Sequence, residues 1–332
     1  MFDIEKMKAH EIHSEKALRK IIPPHPSLLN KRIQPSLDFF SNEFLEQSCL
    51  AILGINHPNS KMTPLDYQKS IIIKDYNTMI IKHSDHPFSS KNTSTHYQAS
   101  LLFIVPGIGH NLRVNGKLTY FSETHLRFKI ESVYFHCARA MARSEFWTKK
   151  NTQAISVFNI IEHSPYALIK TINDQGKTEI SPRGDQPGFI KIINENTLFL
   201  PERPGNKVAV SLRNILQSST IELLILVPQT LYTLNIAGQA YVTSDPALLE
   251  ICSVNGKLPK TGIVIKVTSQ SFQICQALEN SGLWDREKAV DKQSITPFPK
   301  ALSSHMNGTG LMGKATTTVV GAIVKHDMNH LY

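Results

Sequence analysis

The spacing of apolar and polar positions changes several times along this chain, and each change marks an element. Residues 2–21 are polar and charged, which predicts an exposed helix stopped by Pro23-Pro24-His25-Pro26. Leu37, Phe40, Phe44 and Leu45 recur at helical intervals and predict a helix over 36–48 behind a Ser36 cap. The pattern then turns to short β-rich runs at 50–55, 70–74, 78–82, 101–105 and 112–120, with His57-Pro58-Asn59 and Asn115-Gly116 read as turns. A helix over 134–146 closes this half. The second half follows the same order. A helix is expected over 151–163, then strands at 167–172, 178–181, 188–193 and 197–201, with turns at 173–176 and 194–196. Val208, Leu212, Ile215 and Leu216 give residues 207–217 one apolar helical face. Strands resume at 222–227, 233–242 and 262–267, and a helix over 271–279 ends the unit. Residues 286–332 are rich in Ser, Thr and Gly and read as an extended tail with an apolar patch at 319–324.

The halves also share residues, not only order. Residues 101–122 (LLFIVPGIGHNLRVNGKLTYFS) lie over 223–244 (LLILVPQTLYTLNIAGQAYVTS) without a gap, pairing Val105-Pro106 with Val227-Pro228 and Gly116 with Gly238. Farther on, Ser132, Phe135, Ala140, Ser144 and Trp147 match Ser269, Phe272, Ala277, Ser281 and Trp284. Between these blocks the second copy carries an extra segment at 245–259, DPALLEICSVNGKLP, read as a short helix and turn. Upstream, Thr63-Pro64 falls near Ser181-Pro182, and Thr78 near Thr197. Shared strand, proline, glycine, helix and terminal Trp in one order indicate duplication. A duplicated barrel in one chain is what a homodimer becomes after gene fusion, so the copies are expected to pack across a pseudo-two-fold. The predicted fold is mainly β with flanking helices (α+β), two tandem barrels forming an intramolecular pseudo-dimer. Its parts are an N-terminal helical extension (1–35), two barrel copies (36–150 and 151–285) and a tail (286–332).

Length and composition agree with that division. The 332 residues suit two domains, and 41% apolar residues suffice for two cores. Lys and Arg total 36 against 27 Asp and Glu, a formal charge of +9 that favours anionic partners. The basic residues are dispersed and lack interleaved aromatics on a basic strand, which ranks nucleic acid last among them. Cys49, Cys137, Cys252 and Cys275 form no C-x-x-C pair, which argues against a zinc ribbon and for reduced thiols in the cytosol. The charged N-terminal stretch has no apolar signal-peptide core, and no stretch is long enough to cross a bilayer. The histidines are scattered, so no metal site is predicted. Neither a Walker A loop nor a G-x-G-x-x-G fingerprint is present.

Chemistry concentrates in 180–214, ISPRGDQPGFIKIINENTLFLPERPGNKVAVSLRNI. Arg183, Arg203, Lys207 and Arg213 supply cations, Ser181, Asn206, Ser211 and Asn214 supply neutral donors, and Asp185 adds one carboxylate. Gly184, Gly188 and Gly205 allow close backbone approach. The loop 203–207 leads into a predicted helix whose free N–H groups would face it, and together these are the parts of a phosphate cradle. A second constellation is Phe135-His136-Cys137-Ala138-Arg139, followed by Arg143 and Trp147. With His136 and Cys137 at a helix start, a thiol nucleophile comes to mind. Adjacent helical residues diverge by about 100°, however, so cofactor contact or packing is the better reading.

These motifs resemble the FMN-binding split β-barrel proteins related to pyridoxamine 5'-phosphate oxidase, closest to an uncharacterised flavoprotein branch. The resemblance rests on S-P-R-G-D-x-P-G-F at 181–189, L-P-x-R-P-G-N at 200–206 and S-L-R-N-I at 211–215. It also rests on V-N-G at 114–116, F-H-C-A at 135–138 and R-S-x-x-W at 143–147. It implies a barrel dimer with FMN at the subunit interface. Arg183, Arg203, Asn206, Lys207, Ser211 and Arg213 are then phosphate and ribityl candidates, with His136, Cys137, Arg139 and Trp147 on the partner side. The first copy has Thr63-Pro64-Leu65-Asp66 in place of 181–185 and lacks the R-P-G-N loop, while the second has Phe272-Gln273-Ile274-Cys275 in place of 135–138. Each copy keeps one set, so the expectation is one FMN per chain in a composite site. The Arg-Leu-x-Pro segment that helps pyridoxamine phosphate oxidases bind substrate is absent, which argues against vitamin B6 oxidation. The leading expectation is therefore an FMN-dependent oxidoreductase whose substrate, electron donor and catalytic residues the sequence does not name. The alternative is a non-catalytic carrier of flavin or another anionic cofactor such as haem or deazaflavin.

Overall fold

A computed structural model describes residues 8–58, 60–82, 95–148, 155–156, 159–308 and 310–332. The chain divides into two compact units. The first comprises Pro26–Ala142 with Cys275–His330, and the second comprises Met1–His25, Arg143–Ile274 and Leu331–Tyr332.

The first unit is built on seven strands: β1 (Leu50–Ile55), β2 (Thr63–Asp66), β3 (Ile71–Asp75), β4 (Thr78–Lys82), β5 (His96–Ile104), β6 (Asn111–Ser122) and β7 (His125–His136). All neighbours pair antiparallel, in the order β2-β1-β5-β6-β7-β4-β3. Leu53, Leu101, Phe103, Leu112, Val114, Leu118 and Phe128 point into its core, which the helix Phe39–Glu46 closes with Phe44 and Leu45. That helix starts later than predicted. Its cap is Asp38, not Ser36, because the Asp38 carboxylate accepts from Ser41 N at 2.9 Å while Ser41 Oγ accepts from Asp38 N, a reciprocal capping box.

The second unit repeats this plan with β8 (Tyr166–Ile172), β9 (Thr178–Gly184), β10 (Lys191–Asn194), β11 (Thr197–Pro201), β12 (Thr220–Leu226), β13 (Tyr232–Thr243) and β14 (Gly262–Ile274). The order β10-β11-β14-β13-β12-β8-β9 is the first sheet's order read from its other edge, each strand being replaced by the one seven places later. Ile169, Leu198, Leu200, Leu223, Ile225, Ile236, Ile263 and Ile265 form the core, joined by Ile12 and Leu18 from the N-terminal segment and by Leu212 and Ile215 from the helix Val210–Gln217. The repeat extends to irregularities. The β6/β7 ladder shifts between Asn115 and Gly116, and the β13/β14 ladder shifts between Ala237 and Gly238. A Cβ at Gly116 would lie 2.0 Å from Lys129 O, and one at Gly238 would lie 2.2 Å from Lys266 O, so each bulge brings two backbones too close for any side chain.

Several sequence expectations change. Asn115-Gly116 is no turn but lies inside β6. The expected helix over 134–146 is strand as far as His136, and helix only over Arg139–Arg143. The helix expected over 2–21 is observed at Glu15–Ile21; its first part, through residue 7, lies outside the described residues, and just ahead of the observed helix Glu11 bridges Thr243 and Ile12 N donates to Val242 O at 2.8 Å at the end of β13. The helix expected over 151–163 is observed at Ile160–His163, its earlier part lying largely outside the described residues. The expected helix over 271–279 starts at Gln276, since β14 continues through Ile274. Residues 286–332 are not an extended tail: they contain the helices Phe298–Asn307 and Leu311–Asn329. The compact units also cut across the predicted boundaries, since residues before His25 join the second unit and residues after Cys275 join the first. Among the described residues, no helix is long and apolar enough to cross a membrane.

Candidate cofactor site

In the second unit, β9 delivers Asp185 and β11 delivers the loop Glu202–Lys207 to the same end of the sheet. Lys207 (φ +61°) and Ala209 (φ +53°) both take left-handed backbone conformations, which turn the chain sharply before the helix Val210–Gln217 begins. The loop therefore does not run straight into the helix, as the sequence suggested. Four hydrogen bonds fix it instead. Arg19 donates to Lys207 O at 2.8 Å and to Val208 O at 3.2 Å, Val208 N donates to Asn206 Oδ1 at 3.1 Å, and Arg143 Nη2 donates to Pro204 O at 2.5 Å.

Asp185 is the buried anchor. It is 1% exposed, and its Oδ2 accepts from Arg203 Nε at 2.5 Å. Its Oδ1 accepts from Gln186 N at 2.8 Å and from the Tyr332 hydroxyl at 2.5 Å. The Tyr332 ring lies 5.5 Å from the Arg203 guanidinium carbon and 5.8 Å from that of Arg143, within cation–π range. Burial first, and the Asp185 carboxylate second, push the Tyr332 phenol above its usual range, so it stays protonated and donates.

Beside this cluster opens a cavity of about 470 Å³, a volume usual for small-molecule sites. Arg203, Lys207, Lys257 and Lys260 line it with Glu202 as the lining carboxylate, and Ile21, Ile22, Leu258 and Pro259 supply apolar wall. Lys257 and Lys260 come from the connection between β13 and β14, where the first unit has only the short turn between β6 and β7. This is the inserted segment of the second copy: Asp245 caps its helix Pro246–Glu250, and a Val254–Lys257 bridge closes its turn. Cations beside an apolar wall suit an anionic ligand that also carries an apolar part.

The sequence-predicted residues divide. Arg203, Asn206 and Lys207 line the cavity, with Asp185 behind Arg203. Arg183 lies 3.1 Å from Glu202 Oε2 and Arg213 lies 2.8 Å from Glu15 Oε1. Both are charge contacts whose closest atoms are not aligned as hydrogen bonds. Asn214 Nδ2 donates to Thr171 Oγ1 at 3.0 Å, and Ser181 and Ser211 are buried, so these three do not line the cavity. In the first unit, His136 ends β7 and contacts Arg113, and Cys137 precedes the helix rather than starting it. Arg139 pairs with Asp327 at 3.2 Å and donates to His330 O at 3.0 Å. Trp147, in the second unit, is half-buried edge-on against Phe146. Sequence reasoning missed Lys257, Lys260 and Tyr332. The insertion was the available signal for Lys257 and for Lys260 just after it, and nothing local marked Tyr332.

Burial pushes the Cys49 thiol up to about 12 and Cys252 up to about 11, and raises Cys275, which disfavours thiolate chemistry at all three. Among the described residues, no three His, Cys, Asp or Glu side chains gather as metal ligands.

No protein-family model and no curated protein matches the sequence. Among solved structures, HupZ of Group A Streptococcus is similar at 17% identity and a TM-score of 0.31, over 36% of this chain and 95% of its own. A putative pyridoxamine 5'-phosphate oxidase from Lactobacillus delbrueckii is similar at 15% identity and a TM-score of 0.28, over 36% of this chain and 96% of its own. The FAD-binding protein from Mycobacterium smegmatis is similar at 12% identity and a TM-score of 0.25, again over 36% and 96%. Each is spanned almost whole by about a third of this chain. The architecture here is the mainly β one that the sequence predicts, two split-barrel units with flanking helices in a single chain.

Proposed function

We propose that this protein binds flavin mononucleotide, one per chain, in the cavity of the second unit, and that it is an FMN-dependent oxidoreductase working in the cytosol, where its cysteines stay reduced. The observation that carries this reading is the convergence of Arg203, Lys207, Lys257 and Lys260 on one cavity with an apolar wall. The cations and the Asn206 side chain would hold the phosphate, and Ile21, Ile22, Leu258 and Pro259 would shield the ring system from water. The flavin, when bound, supplies the redox chemistry, and the chain's own residues bind and orient it. A single site per chain follows from the copies' divergence, because the first copy has neither the R-P-G-N loop nor the lysine-bearing insertion.

Denaturing the purified protein and measuring released flavin by absorbance tests this reading. One flavin per chain, as isolated or after reconstitution with FMN, is expected. Two per chain, or none after reconstitution, would overturn it, and an intense Soret band would reassign the site to haem. Bleaching of the bound flavin by NAD(P)H without oxygen distinguishes an enzyme from a carrier.

A further inference from the structure

Tyr332 holds the groups that an anionic ligand would need. Its hydroxyl takes one oxygen of Asp185, its ring faces the guanidinium groups of Arg203 and Arg143, and its backbone oxygen accepts from Lys257 Nζ at 3.1 Å. Leu331 O in turn accepts from Arg143 Nε at 2.7 Å. These two residues follow the helix that ends at Asn329 and belong to no strand or helix, so polar contacts to the site's own charged groups hold them there. Asp185 does not need Tyr332 for its own satisfaction, since Arg203 Nε and Gln186 N still reach it. Tyr332 can therefore leave with Asp185 still paired, and Arg143, though it gives up Leu331 O, keeps Pro204 O.

We propose that the Leu331–Tyr332 segment is a displaceable stopper of the cation-lined cavity, released when a phosphate-bearing aromatic ligand takes Arg203 and Lys257. The inference rests on the flavin reading for the ligand's identity but not for the displacement itself. Docked and undocked forms then exist in equilibrium, and the ligand's apparent affinity is reduced by the docked fraction.

Binding of FMN to the full chain, followed by quenching of flavin fluorescence, is compared for wild type, Tyr332→Phe and Tyr332→Ala. Tyr332→Ala should bind at least about tenfold more tightly, the factor of one charge-assisted hydrogen bond. Tyr332→Phe, which keeps the ring and loses the hydroxyl, should fall between. In wild-type protein labelled with 3-fluorotyrosine, the Tyr332 fluorine resonance, assigned by its loss in Tyr332→Phe, should move to the position of an exposed tyrosine as FMN saturates. Equal or weaker binding by Tyr332→Ala, or a resonance unmoved at saturation, overturns the stopper and leaves the flavin reading standing. If FMN binds none of the three, the flavin reading falls and inorganic phosphate becomes the probe. Phosphate that broadens its own phosphorus line and moves the Tyr332 resonance then supports the stopper, and phosphate that binds without moving it overturns the stopper. Absence of phosphate binding even to Tyr332→Ala overturns both.

Discussion

Asp185 serves as the partner of a nearly buried arginine and as the anchor of Tyr332. Asp185→Asn keeps the shape and removes the charge, leaving the Arg203 guanidinium, with its side chain 9% exposed, without a counter-ion. Urea unfolding should show a loss of about 3 kcal/mol, the scale of a broken buried pair. Lys257 and Lys260 are exposed, so Lys257→Ala and Lys260→Ala should leave stability unchanged and weaken FMN binding by about fivefold each. Titrations at rising salt should show that difference shrinking. In the first unit, His110 packs against Phe44, Phe135 and Phe298, and burial lowers its pKa to about 4. Between pH 4 and 6.5 the unfolded chain therefore holds a proton that the folded chain lacks, so stability rises with pH across that window. It is lost as pH falls, by about 3 kcal/mol in all. Stability measured against pH should show this slope in wild type and lose it in His110→Phe. The cations at 203 and 207 were legible as parts of a polar, glycine-bearing run. The pairing of 185 with 203 was not, because it depends on β9 and β11 ending at the same end of a sheet.

Among the elements, β7 shows where periodicity misleads. Leu126, Phe128 and Ile130 alternate inward, then Glu131 is the extra residue of the bulge, and Val133 and Phe135 resume on the opposite parity. Read along the chain, that break hides the strand's continuation through His136, which the sequence reading assigns to a helix over 134–146. In β14 the same slip falls at Thr268, whose Oγ1 donates to Ala237 O at 3.1 Å. The glycine opposite each slip was legible as a shared residue of the repeat but not as a bulge, since its reason is a backbone from another strand. Gly116→Ala and Gly238→Ala should each lower stability by about 2 kcal/mol or more in thermal unfolding, because the contact is with backbone that cannot move aside. An exposed glycine such as Gly256, where a Cβ would meet nothing, provides a control for packing, with only its positive φ to overcome.

At the scale of the whole molecule, both the duplication and its asymmetry were legible in the sequence. The shared prolines, glycines and alternation specify two antiparallel sheets, because β-pairing depends on local pattern and on turns of fixed length. They also put the basic, glycine-bearing loop in the second copy alone and F-H-C-A in the first alone, which is the ground for expecting one cofactor per chain. Reconstitution should accordingly saturate at one FMN per chain, and the Lys257→Ala/Lys260→Ala double variant should weaken that event without revealing a second, tighter one. Other features were decided by tertiary structure. Residues 275–330 pack with the first unit although they follow the second in sequence, and residues before His25 do the reverse. Lys257, Lys260, Arg203 and Tyr332 meet around one cavity although more than a hundred residues separate Arg203 from Tyr332. Local pattern constrains neighbours a few residues apart, through hydrogen-bonding period and side-chain direction. Which distant segments share a core or a charge is set by burial and electrostatics once the sheets exist.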